Sequence, residues 1–568
     1  NKKPVIETFT KDIKTEPEKI ASKNGKYLKK DYKSIDDLDD KTRQELLAND
    51  KFFKTVNSKP LDTQQKIACV LDSKNVQIIA GAGTGKTFTL IAKIKYLIAK
   101  KHVRPEDILC LSFSNTSVRD LKGKLPENVE VRTFHSLGRS VIKQHHKVSV
   151  IENNEILAII NDYLANANTD TLKDILEFCD SYFLNIESYI IRRNDRKELL
   201  NELKEAFTKV AFKPLLADFI NLFKGNNFTK DHFSYFRSSN DDKNHDIFLK
   251  IAEDFYSYYQ EYLDMHQQID FNDMINESSK LIKKYGLKKH YRYILVDEYQ
   301  DTTYTNYNLI KSLQDKTGAH LTVVGDDWQS IYGFRGTNIE FFSHFEEYFE
   351  NPQRIFIEKT YRNPQELIDI AGSFIMKNPK QIRKSLKSPK NLKKPVKIIY
   401  PQKNPIEKRE MIYSLIKDLS EKSEDVLILG RTNNNINQFI KHRNLVKKGN
   451  LKKDKFLRIL DKTDKSMNNV YYRTLHSSKG LEADNVIIIN MVDDYLGFPS
   501  KLKTHSVLNY VNTRNYDYKY SEERRLFYVG LTRSKNNVYL ISDKNNPSEF
   551  IEELMDDSLE NLEIIEYN

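Results

Sequence analysis

The chain has 568 residues, enough for several domains and a large core, and its 30% charged and 39% hydrophobic content is that of a soluble globular protein. No apolar run is long enough to span a bilayer, and Cys69, Cys110 and Cys179 are scattered without metal or disulfide spacing, which argues against a zinc site, an iron–sulfur cluster and a disulfide framework. Lys plus Arg outnumber Asp plus Glu, 91 to 80; the resulting +11 suits a polyanionic partner through counterion release, and equally suits plain solubility.

The start, "NKKPVIETFTKDIKTEPEKI", has no apolar signal-peptide core, which points to the cytoplasm. It begins at Asn1 rather than Met and reads as a piece with residues missing upstream. Residues 1–57 are polar and lysine-rich and read as a helical or loose leader. From Asn75 the texture changes. "VQIIA" reads as a strand, followed by a glycine loop and a helix through "KTFTLIAKIKYLIAK"; "DILCLSFSN" and "VEVRTF" are further strands. Strands alternating with helices predict a parallel sheet covered on both faces. Residues 140–290 turn helical, with apolar residues at helix spacing in "NEILAIINDYLANA", "LLADFINLFKG" and "IFLKIAEDFYSYYQEYLDMHQ". Strands return at "YRYILVDE" and "HLTVVGDD". A second α/β unit runs from 361, with "VKIIY", "DVLILGR", "VYYRTL", "NVIIINMV" and "NNVYLIS". The lysine-rich stretch at 441–465 reads as a solvated loop, with a phosphate-contacting surface as the alternative.

Two motifs carry chemistry. "AGAGTGKT" (Ala80, Gly81, Ala82, Gly83, Thr84, Gly85, Lys86, Thr87) follows a strand and opens a helix. Gly83 and Gly85 let backbone N–H groups face a phosphate, Lys86 supplies a point charge, and the Thr87 hydroxyl is placed to ligate Mg²⁺. Ala80 stands where the strict pattern has glycine, at a position that only closes the strand. "YILVDEYQDT" sets Asp297 and Glu298 at the end of an apolar strand. In a P-loop ATPase the first holds the Mg²⁺ water shell and the second polarises the attacking water.

With "AGAGTGKT", "VDEYQDT", "GDDWQSIYGFRG", "TYRN", "TLHSSKGLE" and "RRLFYVGLTRS" in that order, residues 52–555 resemble the UvrD/Rep superfamily 1 DNA helicases. The tryptophan in "GDDWQ" and the ending "SDKNNPSEFIEEL" are similar to the DNA helicase IV group. The resemblance implies two RecA-like P-loop domains, the first made of 58–139 and 291–360 and interrupted by the helical insertion 140–290, the second spanning 361–568. It implies that Gln65 reads adenine, with Gln64 a register alternative, that Tyr361 stacks on the base, and that Gly480 and Glu482 lie at the ribose. Gln329, Arg362 and Arg533 would meet the γ-phosphate. With Lys86, Asp297 and Glu298 they form the expected catalytic set, using ATP and Mg²⁺.

The same resemblance implies a single-stranded DNA track. Phe113, Trp328, Tyr332 and Phe334 are its stacking candidates, with Arg335 beside them. Thr133 and His135 match the phosphate contacts of the first domain, and Thr474, His476 and Lys479 those of the second. Phe334 stands where many relatives carry tryptophan, and His135 has a core role as its alternative. Only about 110 residues separate Arg362 from "TLHSSKG", too few for the 2B subdomain of the larger relatives, and the length after Arg533 does not fit a fused nuclease. The expectation is a monomeric 3′→5′ DNA helicase or single-strand translocase, acting on single strands and junctions in repair or recombination. The alternative is a DNA-stimulated translocase that removes proteins, or the motor of a repair or phage-defence complex, without unwinding alone. A nucleotide-gated binder and a small-molecule kinase account poorly for Glu298, Arg362 and Arg533.

Overall fold

The computed structural model describes residues 29–152, 155–180, 195–209, 211–401, 404–422, 424–439, 445–449, 457–461, 469–502, 504–512 and 518–567. The first sheet has seven strands: β1 (Lys30–Tyr32), β2 (Asn75–Ala80), β3 (Ile108–Ser112), β4 (Glu130–Thr133), β7 (Tyr293–Val296), β8 (His320–Gly325) and β9 (Gln353–Ile357). Two short segments, β5 (Ser149–Val150) and β6 (Gln268–Ile269), pair separately. The order is β1-β9-β2-β8-β7-β3-β4, and every pairing is parallel. β2, β3 and β7 are buried along their whole length. Parallel strands need crossovers, the crossovers lay helices on both faces, and near-continuous apolar runs such as "ILVD" fit that burial.

β1 corrects the reading of 1–57 as a leader. Its residues pair with β9, Arg354 forms a two-bond ion pair with Asp31 at 2.7 and 2.8 Å, and Leu46 and Phe53 enter the core of the first unit. The polar composition hid this because an edge strand and two short amphipathic helices contribute few apolar residues each. Residues 1–28 lie outside the described residues.

Between β5 and β6 the described residues are mostly helical, with a core rich in phenylalanine. The helix Phe271–Tyr285, expected inside that insertion, packs instead on the first unit, against the helices Phe134–Ile142 and Tyr304–Thr317. The second sheet contains β10 (Val396–Tyr400), β11 (Val426–Gly430), β12 (Leu445–Lys448), β13 (Leu457–Asp461), β14 (Val470–Thr474), β15 (Asn485–Met491), β16 (Val538–Ser542) and β17 (Leu562–Glu566), in the order β12-β13-β14-β11-β15-β16-β10-β17. Its core is parallel, and β12 and β13 form an antiparallel edge. The described parts of 441–465 are thus strand rather than loop; the rest of that stretch lies outside the described residues. From Arg362 to Thr474 the described residues are strands of this sheet, its covering helices and a segment, 377–395, that crosses the first unit, with no separate 2B-like body among them.

The second unit also reaches into the insertion. The short helix Ser506–Tyr510 sends Val507 and Leu508 into the insertion's apolar core, and Val511 follows them. Asn226 donates to the Val511 carbonyl at 2.6 Å, and the ring nitrogens of His245 lie 2.8 Å from Ser506 Oγ and 3.2 Å from the Tyr510 hydroxyl. Val507→Asp buries a carboxylate in that core and is expected to cost about 3 kcal/mol or more. Thermal unfolding of the full chain reads the effect; an unshifted midpoint would mean the contact carries no load.

Candidate functional site

The glycine loop leaves β2, the acid pair leaves β7, and "GDDWQ" leaves β8; these three strands are neighbours, so their carboxyl ends open on one crevice. Gly83 and Gly85 adopt φ of 71° and 82°, in the left-handed region. A Cβ on Gly83 would meet Thr360 Oγ1 and Arg362 Cβ at 2.6 Å. Ala80 is a fully buried strand residue, paired with Ile357 of β9. Thr84 Oγ1 donates to the Gly81 carbonyl at 3.0 Å, and the helix Lys86–Lys101 starts directly after Gly85. Ala82 lies in the apolar cluster of the second unit.

Thr87 Oγ1 donates to Asp297 Oδ2 at 2.9 Å. Burial, then the neighbouring Glu298, pushes the Asp297 carboxyl up to about 7. Burial opposes ionisation of Glu298 too, but Lys86, Lys479 and a hydrogen bond from Gln300 hold it below its ordinary value. Glu298 also has φ of 52°, a left-handed conformation that costs a side-chain residue about 1 kcal/mol or more. One hydroxyl and one carboxylate are oxygen donors that suit Mg²⁺, an ion that takes the rest of its shell from water and phosphate. Burial lowers the Lys86 ammonium, against the pull of Glu298 and Asp326, whose Oδ2 lies 4.0 Å away.

Of the two glutamines, Gln65 is the one that lies at the glycine loop. Its Nε2 donates to the Thr84 carbonyl at 3.0 Å and its Oε1 accepts from Asp62 N at 3.1 Å, which puts the amide beside the glycine loop. Each end keeps one unused hydrogen-bonding position. Gln64 faces elsewhere, bonded to the Lys33 carbonyl and to Glu358 N. Tyr361 is 46% exposed, its hydroxyl donating to Asp62 at 3.1 Å and its N–H to the Gly83 carbonyl at 3.2 Å.

The second unit closes the crevice. Arg533 is 1% exposed; its Nη2 donates to Gln329 Oε1 at 3.2 Å, and its Nε and Nη1 to the Val529 and Leu481 carbonyls. Burial, then Arg362, pulls its guanidinium down to about 9. Arg362 Nε donates to Glu482 at 2.9 Å and Nη1 to the Thr532 carbonyl at 3.3 Å. Gly480, with φ of 82°, has open space where a Cβ would stand.

Two expected DNA contacts face the wrong way. Trp328 is 1% exposed, its indole N–H donating to the Ile382 carbonyl at 3.0 Å and its ring edge-on to Tyr528. It is core between the units, because an apolar ring at their junction gains more from burial than from solvent. Lys479 turns inward as well, donating to both Asp301 oxygens at 2.9 and 2.7 Å and to the Gln329 carbonyl at 2.8 Å. Its ammonium takes the buried Asp301 carboxylate in preference to a surface phosphate position.

The remaining candidates fall into two surface groups. Phe334 is 46% exposed and edge-on to Tyr332 and to His476 of the second unit, with the Arg335 guanidinium about 5 Å from both phenyl-type rings. Tyr332 donates to the His476 carbonyl at 3.2 Å, and Thr474 bonds Ser477 nearby. On the first unit, Phe113 packs on Phe134, the exposed His135 meets Phe271 edge-on, and Thr133 caps the helix Phe134–Ile142. Sequence reasoning passed over Asp301, Thr360 and Lys384, whose roles come from contacts between distant segments and left no local signal.

Gly83→Ala combines left-handed backbone strain with a clash, and is expected to abolish binding of a fluorescent ATP analogue while circular dichroism stays unchanged. Burial, then Arg431 and Arg335, pushes the His476 imidazole down to about 3. An unfolded imidazole titrates at about 6.5, so the stability from neutral His476 is present above that pH and is lost as pH falls below it. The melting temperature should drop more steeply between pH 6.5 and 5 in the wild type than in His476→Asn.

Among the described residues no helix is long and apolar enough to cross a membrane. The UvrD/REP helicase N-terminal domain family matches residues 61–350, and the UvrD-like helicase C-terminal domain family matches 441–545. DNA helicase IV of Escherichia coli is 26% identical over 521 residues, 88% of this chain and 71% of that protein. A probable DNA helicase of Mycoplasma pneumoniae is 25% identical, covering 85% of this chain and 83% of its own length. The ATP-dependent DNA helicase PcrA of Staphylococcus aureus is 27% identical over 66% of this chain, which spans 48% of that protein. With paired α/β units, a glycine loop on one, arginines from the other, and a family match over half its length, the chain belongs to the UvrD/REP helicases.

Proposed function

We propose that the protein is an ATP-driven DNA helicase and single-strand translocase that moves 3′→5′. The observation that carries this is the contact of Arg533 with Gln329 across the two units, beside Lys86 and Glu298. Gln65 and Tyr361 hold the adenine, Glu482 and Gly480 take the ribose, and the loop 81–87 wraps the phosphates. Thr87 and Asp297 hold Mg²⁺, which when bound shields charge on the phosphate oxygens. Glu298, ionised and fixed by Gln300, orients the attacking water and accepts its proton. Arg362 leaves Glu482 to meet the γ-phosphate, and Arg533 reaches it from its place beside Gln329. Neutralising that charge requires both units, so hydrolysis and release open the crevice.

The exposed Phe334, with Tyr332, Arg335 and His476, sits on both sides of the junction between units. A strand stacked there shifts when the units move, which converts closure into a step. Phe113, Thr133, His135 and Thr474 supply the flanking contacts. That no 2B-like body stands among the described residues of the interval favours a second reading, in which the chain translocates and clears proteins, or drives a partner in a repair or phage-defence complex, without separating duplex alone.

Glu298→Gln is expected to lower kcat by about a hundredfold or more while ATP and DNA binding persist; sustained turnover would remove Glu298 from its role. ATPase activity should rise with single-stranded DNA, and 3′-tailed duplexes should be separated in preference to 5′-tailed ones. ATPase without any strand separation on either would favour the translocase reading.

A further inference from the structure

After the helix Gln365–Met376 the chain leaves the second unit and returns across the first. Ile382 N–H donates to Asp327 at 2.8 Å, Leu386 packs against Gly81 of the glycine loop, and Lys387 exchanges backbone bonds with Glu358 and Thr360. This return segment therefore touches the phosphate loop and "GDDWQ" together. At its centre the Lys384 ammonium bonds Asp326 and, at 2.6 Å, Asp327, and all three side chains are completely buried. The Trp328 ring lies 4.4 Å from the same ammonium.

Asp326 is the shared member of a longer chain. Its Oδ2 accepts from Gln329 Nε2 at 2.6 Å and lies 4.0 Å from Lys86. Holding Nε2 on Asp326 leaves Oε1 of the same amide toward Arg533. A flipped amide would set its NH₂ against a guanidinium, donor against donor. We propose that Lys384 is a positioning residue for ATP hydrolysis: by fixing Asp326 it sets the Gln329 amide, and through that amide the place of Arg533. This rests on the reading of Gln329 and Arg533 as the γ-phosphate end of the site.

A buried cation that only balances two carboxylates would show the same contacts, and the test separates the two. Lys384→Met alone leaves two buried acids and loses stability. Lys384→Met combined with Asp327→Asn restores the net charge of the cluster, yet Asp326 still lacks its ammonium partner. Expected for the full-length double variant are a melting temperature above that of Lys384→Met alone, affinity for a fluorescent ATP analogue within about twofold of wild type, and a DNA-stimulated kcat at least about tenfold lower. A kcat near wild type would overturn the proposal and leave Lys384 as charge balance. Failure of the double variant to fold would overturn it too, making Lys384 a residue of the fold. Absence of DNA-stimulated turnover in the wild type measured alongside would instead sink the functional reading itself.

Discussion

The cost of keeping charge away from water governs this molecule. Lys86, Asp297, Glu298, Asp301, Asp326, Lys384, Lys479 and Arg533 lie in or beside one crevice, and each is largely or wholly buried. A buried ion without a partner costs several kcal/mol, so each must be answered by an opposite charge or a tight hydrogen bond. Some answers lie within one unit, as Asp326 with Lys384. Others cross between units, as Lys479 with Asp301 and Arg533 with Gln329. The crossing pairs hold the two sheets against each other.

Three tethers surround that network. β1 and its helices brace one edge of the first sheet, the return segment around Lys384 lies beneath the phosphate loop, and Ser506–Tyr510 roots the second unit in the helical insertion. The exposed aromatic group around Phe334 lies over the same junction, with Tyr332 and Phe334 on one unit and His476 on the other. The buried charges below and the rings above are joined through one short stretch, "GDDWQSIYGFRG".

Most of the parallel-sheet strands were legible because a strand buried on both faces must be written as an apolar run, and "VQIIA", "YILV" and "VLILG" are such runs. β1 and β9 were not, since "KDY" and "QRIFI" mix charge with apolar residues at or near a sheet edge. The phosphate loop and its acid pair were legible because backbone geometry demands glycine, lysine and hydroxyl at set spacing. Gln64 and Gln65 could not be told apart by sequence, and the bond to Thr84 puts Gln65 at the loop.

Side-chain direction was the part that local sequence left open. A tryptophan in "GDDWQ" and a lysine in "HSSKG" can face a DNA strand or the protein interior, and nothing in either motif chooses between them. Trp328 turned into the junction and Lys479 toward Asp301 because desolvated surroundings from distant segments offered an apolar wall to one and a carboxylate to the other. Lys384 had no motif at all. By itself the sequence determined the family, the paired α/β architecture and the chemistry of the phosphate loop, which depend on local spacing and backbone conformation. Only the tertiary structure decided which charges meet across the crevice, because burial and partnership of an ion depend on contacts made by residues hundreds of positions apart.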